Sequence, residues 1–418
     1  MTSSSRPPRG VALSSPAVAE LRQASTIRER CANILRAVGE GRSTNFTIDH
    51  AKLADAAQRV EQVTRQNYPD LRIPYHSRWR HFEAGGVDRK AELDERLAGL
   101  DAAAQARARI DLTVVSVLLD AGAGAGWRYA EAASGQTFSR SEGLGVASFR
   151  GFMQGLFSSD PAQPLRVDAA ALLRLDAGAL AAMFQVRDDN PLIGLDGRTL
   201  LLRRLGEAMQ VQHASFGAEG RPGALFDRLA LKAHQAPLTA PQLLQALLDT
   251  LSGIWLAGNE LDDVPLGDCW RHPLAGGSGG SAGWVPFHKL SQWLCYSLLE
   301  PFDWAGVPVT QLDGLTGLPE YRNGGLLLDS GVIVPREPGF SQRRHTTGDE
   351  AIVEWRALTV ALIDELAPLV RHRLGKTVTE MPLACILEGG TWAAGRAMAR
   401  ELRDGGPPLV IESDGTVF

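Results

Sequence analysis

The sequence predicts a mainly α, multi-helical fold with minor β. Three observations point there. Apolar residues recur mostly every 3.6 positions, the period of a helix with one buried face. The stretches 241–259 and 349–374 sustain that spacing over many turns. Of 418 residues, 44% are hydrophobic, enough for a large core, and no internal repeat is visible.

Residues 1–14 are rich in Ser, Pro and Arg and are expected to be disordered. Residues 15–418 are expected to form a single large helical catalytic domain, or two intimate lobes meeting near 160–240. Within it, 17–38 reads as an amphipathic helix around Leu21, Ile27 and Ile34, and 45–66 as a second with Asp49 near its start. The segment 71–86 breaks the pattern and reads as a loop. A charged helix is expected at 90–108, and 111–119 is apolar enough to be a core helix or a strand. Helices follow at 146–156, 168–184, 200–210, 241–259 and 286–300. Residues 318–328 read as a short helical hairpin, 349–374 as a long helix and 383–387 as a short strand. A tight turn at Glu388-Gly389-Gly390 then feeds a helix from Thr391.

Composition excludes several classes. The formal net charge is -5, whereas a phosphate-backbone binder carries a basic excess, so no nucleic-acid partner is expected. Cys31, Cys269, Cys295 and Cys385 are far apart with no C-x-x-C, which fits reduced thiols in a cytoplasmic protein. The N-terminus lacks the apolar core of a secretory signal, and no stretch of about 18 uncharged apolar residues exists, so no membrane partner is expected. There is no H-E-x-x-H and no zinc-type Cys/His spacing, so no metal or other cofactor is expected. A monomer or homodimer is expected. The only lysines are Lys52, Lys90, Lys232, Lys289 and Lys376, so a lysine in an apolar stretch is a pointed choice.

Six segments could carry chemistry. In 75–83, Arg78, Trp79, Arg80, His81 and Phe82 alternate cations with rings, which suits an anionic or planar ligand, or a loop snorkelling over the core. Trp127, Tyr129, Arg140 and Glu142 suit a pocket wall, or a surface turn with a helix cap. The glycine- and serine-rich 275–281 lacks a phosphate-loop ending and is a lid, a linker or an anion cradle. Around Phe287-His288-Lys289, Lys289 shares a helical face with Trp293 and Tyr296, a pocket cation or a snorkelling one. At 313–325, Asp313 and Glu320 flank a Leu-x-x-Leu-Pro turn. There they could stabilise an oxocarbenium-like centre or merely cap a helix. Finally, 388–396 reads as a tight turn feeding a helix N-terminus, an anion site or a purely structural turn.

Together, the run 111–120 with Trp127 and Tyr129, Arg140-Ser141-Glu142-Gly143, His76 to Glu83, Gly220-Arg221-Pro222-Gly223 and Glu388-Gly389-Gly390-Thr391-Trp392 resemble one family over most of 15–418. It is the family of the fourth protein of the Urc uracil-catabolism pathway of fungi and bacteria. The resemblance implies a role in pyrimidine breakdown, where a ring-opened ribosylurea-type intermediate must be cleared. A second similarity covers about fifty residues. Phe287-His288-Lys289-Leu290-Ser291-Gln292 and Leu315-Thr316 to Tyr321-Arg322 look like the [FY]-x-K-x-x-Q and L-T-x-x-x-[D]-Y-R signatures of queuosine-salvage N-glycosidases. Those enzymes have a helical scaffold similar to helix-hairpin-helix DNA glycosylases. Glu320 departs, standing where that family has aspartate.

What the two resemblances imply is hydrolysis of the N-ribosidic bond of ribosylurea or its 5-phosphate. Glu320, with Asp313, would stabilise charge at the anomeric carbon and position water. Lys289, also a catalytic candidate, and Arg322 would hold the phosphate or fix the carboxylate, and Tyr321 and His288 would contact substrate. Trp79, Phe82, Trp127 and Tyr129 would wall the urea side, Arg78, Arg80 and Arg140 would be additional anion ligands, and His81 and Glu142 would also contact substrate. The rivals are an amidohydrolase acting on the ureido group and a non-catalytic nucleotide-binding scaffold.

Overall fold

The computed structural model describes residues 15–124 and 126–412. The tail expected at 1–14 lies outside them. Helices dominate, and strands pair only in two-stranded ribbons, four antiparallel and one parallel, Arg344–Thr346 with Val410–Glu412. Among the described residues, no helix is long and apolar enough to cross a membrane.

Several expected helices are cut where a carboxylate caps a new one. The 90–108 segment becomes Arg89–Leu97 and Ala102–Leu118, because Asp101 accepts from the Ala104 amide at 2.7 Å. The 168–184 segment becomes Ala169–Arg174 and Ala177–Met183, capped by Asp168 (3.0 Å to Ala171 N) and Asp176 (2.8 Å to Ala179 N). Each cap contributes about 1 kcal/mol to its helix. The segment 17–38 likewise breaks at extended Gln23 into Pro16–Leu21 and Ala24–Gly39. The loop at 71–86 holds one short α-helix, Arg78–Phe82, capped by Ser77, and a 3-10 turn at Ala84–Gly86.

The core is a bundle. Helix Glu350–Leu374 is buried along most of its length and packs against Ala24–Gly39 and Leu53–Asn67. Ala102–Leu118, the helical form of the apolar 111–119 run, packs against Lys289–Trp304. Most buried apolar side chains form one contiguous cluster from Ala24 to Leu409, and Val18, Leu21, Leu266, Cys269 and Trp284 form a smaller second one. Pro301, inside Lys289–Trp304, has no N–H to give to the Ser297 carbonyl, and that carbonyl accepts instead from Trp79 Nε1 at 3.2 Å.

Two local expectations are corrected. Residues 383–387 are not a strand. Helix Leu383–Ile386 runs through a π-turn, Leu387–Thr391, into helix Trp392–Arg403. A short, wholly buried apolar run has no periodicity to separate strand from helix. The wide turn sets Gly390 against Leu53–Asn67, where a Cβ would stand 2.4 Å from Val60 Cγ1. The hairpin expected at 318–328 is a single helix, Tyr321–Asp329, preceded by irregular chain.

Candidate active site

The two segments that carry the glycosidase-like signatures meet in space. Helix Lys289–Trp304 starts at the Asp268 carboxylate, which accepts from Lys289 N at 3.0 Å. Asp268 is itself fixed by Arg356, bidentate at 2.8 and 2.7 Å, and by Trp270 Nε1 at 2.7 Å. One turn on, Gln292 accepts from Thr316 N at 2.9 Å, and its Nε2 donates to Thr316 Oγ1 at 2.8 Å and to Phe287 O at 3.1 Å. The Tyr296 hydroxyl donates to Thr316 O at 3.0 Å. The chain at 315–320 is thereby laid along the lysine helix and delivers Glu320 beside Lys289.

Glu320 caps helix Tyr321–Asp329, its two oxygens accepting from Arg322 N at 2.7 Å and Asn323 N at 2.6 Å. A carboxylate offers about four lone-pair sites, so these bonds orient it and leave half its accepting capacity for other groups. Burial pushes the carboxyl above the ordinary glutamate range, and the two amides, Lys289 and Arg322 offset part of that push. Burial and then Arg356 push the Lys289 ammonium down, against the pull of Asp268, Glu320 and Asp120. A carboxyl driven up and an ammonium driven down in one buried neighbourhood are perturbations of the kind that cluster at functional sites.

The opposite wall comes from the Arg78–Phe82 helix and the end of Ala102–Leu118. Arg78 is fully buried, donating to Ser116 Oγ (2.7 Å) and His81 Nδ1 (2.8 Å) and pairing with Asp120 Oδ2 at 3.0 Å. Because a guanidinium only donates, His81 Nδ1 must accept, and Nε2 carries the ring proton. Burial and Arg78 push that imidazole down to about 4, so it is neutral at pH 7. Asp120 also feels Lys289, and burial, which raises it, is outweighed by Arg78, His81 and the Ser141 hydroxyl. Trp293 lies on the Lys289 face one turn on, its ring 4.7 Å from His76 and 6.0 Å from His81. His76 is tied to Glu388 at 2.7 Å. Asp120 Oδ1, Trp293 Nε1 and Arg78 Nη2 are buried without partners. Buried polar atoms left unmet in this way call for a partner, which a polar ligand could supply.

The rim is arginine-rich. Helix Trp392–Arg403 approaches Tyr321–Asp329 so closely at Gly395 that a Cβ there would stand 1.9 Å from Arg322 O. This contact sets Arg396 near Arg322, and Arg396 pairs with Glu142 at 2.6 Å and lies 5.1 Å from the Trp392 ring centroid. Arg140 opens helix Arg140–Met153 at φ +54 and is exposed at the same rim.

Of the residues expected from sequence, Glu320, Lys289, Arg322, Tyr321, Arg78, His81, Arg140 and Glu142 are gathered here. Others are placed elsewhere. Asp313 pairs with Arg371 and accepts from Leu383 N (2.6 Å), facing a separate cleft of 670 Å³ shared with Tyr75, Glu300 and Cys385. His288 donates from Nε2 to Leu21 O at 2.9 Å and is buried away from the site. Trp79, Phe82 and Trp127 are core residues, and Trp127 Nε1 donates to Phe184 O at 2.9 Å. Tyr129 is buried in the Tyr129–Glu131 ribbon. Arg80 stands behind Glu388, paired with Glu300 (2.8 Å) and Glu83 (3.1 Å). The aromatic wall expected from sequence is thus mostly packing, because large rings in a helical bundle bury their area first. Sequence reasoning placed His76 in the 75–83 segment, Trp293 beside Lys289, and Glu388, Trp392 and Arg396 in a turn that could hold an anion, but named none of these, nor Asp120, as a site residue. Trp293, four positions after Lys289, carried a legible signal.

One cluster elsewhere bears on metals. His272, Glu350 and Glu354 bring ligand atoms within 4.8 Å of one another. His272 Nδ1 accepts from Leu274 N at 3.2 Å, and its Nε2, 3.3 Å from Glu354 Oε2, is buried without a hydrogen-bond partner. Glu354 is held by Ser43 Oγ (2.5 Å) and Asn45 Nδ2 (3.1 Å).

Residues 20–418 match the family model described as "Protein of unknown function (DUF1688)". The chain is 38% identical over 436 residues to uracil catabolism protein 4 of Lachancea kluyveri, covering 96% of this chain and 99% of that one. It is 39% identical over 416 residues to protein urg3 of Schizosaccharomyces pombe, covering 97% of this chain and 100% of that one.

Proposed function

The chain belongs to the DUF1688 family and, with its full-length relatives, to uracil catabolism, and from that premise we propose that it is a hydrolase that cleaves the N-ribosidic bond of a ring-opened uracil nucleotide, ribosylurea or its 5-phosphate. The observation that carries this reading is Glu320. It is a buried carboxylate aimed by two backbone amides, with Lys289 beside it and unpartnered polar atoms across from it.

Such a carboxylate is pre-organised to face positive charge developing at an anomeric carbon, and its orientation costs nothing at the moment of reaction. In the proposed step the C1–N bond breaks and its electron pair goes to the ureido nitrogen. That nitrogen takes up a proton, with the Lys289 ammonium as the donor. Water attacks C1 and gives a proton to Glu320, and the products are urea and the free sugar. Lys289 suits the donor role because its ammonium is pushed below the ordinary lysine range. A ureido group offers a carbonyl acceptor beside N–H donors. Trp293 Nε1–H complements the first and Asp120 Oδ1 the second.

The test is product analysis. Purified protein is incubated with ribosylurea and with its 5-phosphate, and urea, ammonia and free sugar or sugar phosphate are followed by mass spectrometry. Urea with free sugar supports the reading. Ammonia with the sugar–nitrogen bond intact would replace it with ureido amidohydrolysis, and binding without turnover would replace it with a scaffold.

A further inference from the structure

The rim of the site concentrates positive charge beyond what its own carboxylates balance. Arg322 Nη1 and Nη2 lie 3.4 and 3.5 Å from Gly405 O, and the Arg140 guanidinium comes to the same glycine, 3.8 and 3.7 Å from where its Cβ would stand. Arg396 faces them from the neighbouring helix. Among the described residues, neither Arg140 nor Arg322 has a carboxylate within ion-pair distance. Arg396 has Glu142 on one nitrogen, while its Nε is buried and unpartnered. Three guanidinium groups have only Glu142 and the Glu320 carboxylate to balance them, and their mutual repulsion is a cost that a bound anion reduces. The backbone adds to this. Helix Arg140–Met153 begins here with no side-chain cap on its first amides, which presents further donors to a negative group.

Planar guanidinium forks match the oxygens of a phosphate monoester, and two or three of them hold a dianion far better than a neutral hydroxyl. Arg322 and Glu320 are close enough to act on one another electrostatically, so an anion held by Arg322 lies in the neighbourhood of the carboxylate. We propose that Arg140, Arg322 and Arg396 form a phosphate subsite, and that the substrate enters as a sugar phosphate with its anomeric carbon toward Glu320. This rests on the reading of Glu320 given above. It settles which of the two sugars is used, the 5-phosphate and not the unphosphorylated ribosyl compound.

Isothermal titration calorimetry with ribose 5-phosphate, ribose and inorganic phosphate tests it on the full-length protein, with Arg140→Gln and Arg322→Gln as variants. Ribose 5-phosphate is expected to bind at least about tenfold more tightly than ribose, with each variant weakening it about tenfold, the scale of one charge-assisted hydrogen bond. Added salt weakens binding further, and inorganic phosphate competes. Equal affinity for ribose and ribose 5-phosphate overturns the subsite. So does unchanged ribose 5-phosphate binding in both variants. Arg140 is exposed and its replacement leaves the core untouched, so R140Q keeps the test valid even if R322Q folds poorly. Ribose 5-phosphate carries no leaving group. Its binding therefore stands or falls apart from cleavage, and a protein that binds it without hydrolysing ribosylurea phosphate refutes the hydrolase reading alone.

Discussion

Replacing Glu320 by glutamine separates its two roles. The side chain keeps its shape, but one oxygen becomes an NH2 group. One of the two cap bonds, at 2.7 Å to Arg322 N or 2.6 Å to Asn323 N, is then lost, and a donor is turned toward a donor. The stability cost is about 1–2 kcal/mol, the usual loss for a damaged N-cap. In a chain of this size that lowers the melting temperature by only about 2–4 °C. The catalytic cost is larger, because the charge facing the anomeric carbon and the acceptor for water's proton are both gone. Turnover should fall by about 10²–10⁴. The assay pairs a thermal melt with the mass-spectrometric product measurement on the same preparation. Turnover within about tenfold of wild type, with the small melting shift, would refute the catalytic assignment and leave Glu320 as a cap. Glu320→Asp adds a control. It keeps the charge and a good capping group but shortens the reach, and should retain more turnover than the glutamine variant.

Three further outcomes follow from the same geometry. His81, held near 4 by burial and Arg78, should stay neutral through pH 5–8, so the activity profile should lack a limb at the ordinary histidine pKa of about 6.5. Its folded pKa is depressed, so the unfolded ring binds a proton that the native ring refuses. Stability therefore declines as pH drops from about 6.5 toward 4, and an NMR titration of the ring with a midpoint above 6 would contradict this. Glu131 is raised by burial, but Arg89, Ser134 and Arg150 outweigh that and bring it to about 2. Its roughly 3 kcal/mol contribution is present above about pH 4.3 and is lost as pH falls toward 2. Acid unfolding of Glu131→Gln should lack that component. Trp79→Phe should cost about 1–3 kcal/mol in urea unfolding by losing volume and the bond to Ser297 O, with sugar-phosphate affinity unchanged. A weakened affinity would return Trp79 to the binding site.

Helical class was legible because a 3.6-residue apolar period survives in most long segments, and the family was legible from short motifs spread over most of the chain. Lys289 and Glu320 could be named from local pattern, and Arg322 from the resemblance of the motif that holds it. Their meeting could not, because it depends on Gln292 reaching Thr316 across 24 positions. Break points such as Asp101 and Asp176 were visible as capping residues, but an amphipathic pattern continues across them, so periodicity joined helices that carboxylates separate. The run 383–387 was ambiguous because burial on all sides erases the period. Residue type likewise could not say whether Trp79 or Trp293 faces ligand. Both are buried rings with an N–H, and the difference is that the carbonyl freed by Pro301 satisfies one and nothing satisfies the other. Sequence thus determined the helices, the family and the chemically capable residues, all properties of local order. Tertiary packing alone decided which of those residues share a space, because Asp120, Arg396 and Glu320 are brought together by close helix contacts such as Gly395 on Arg322, and no spacing along the chain records a contact of that kind.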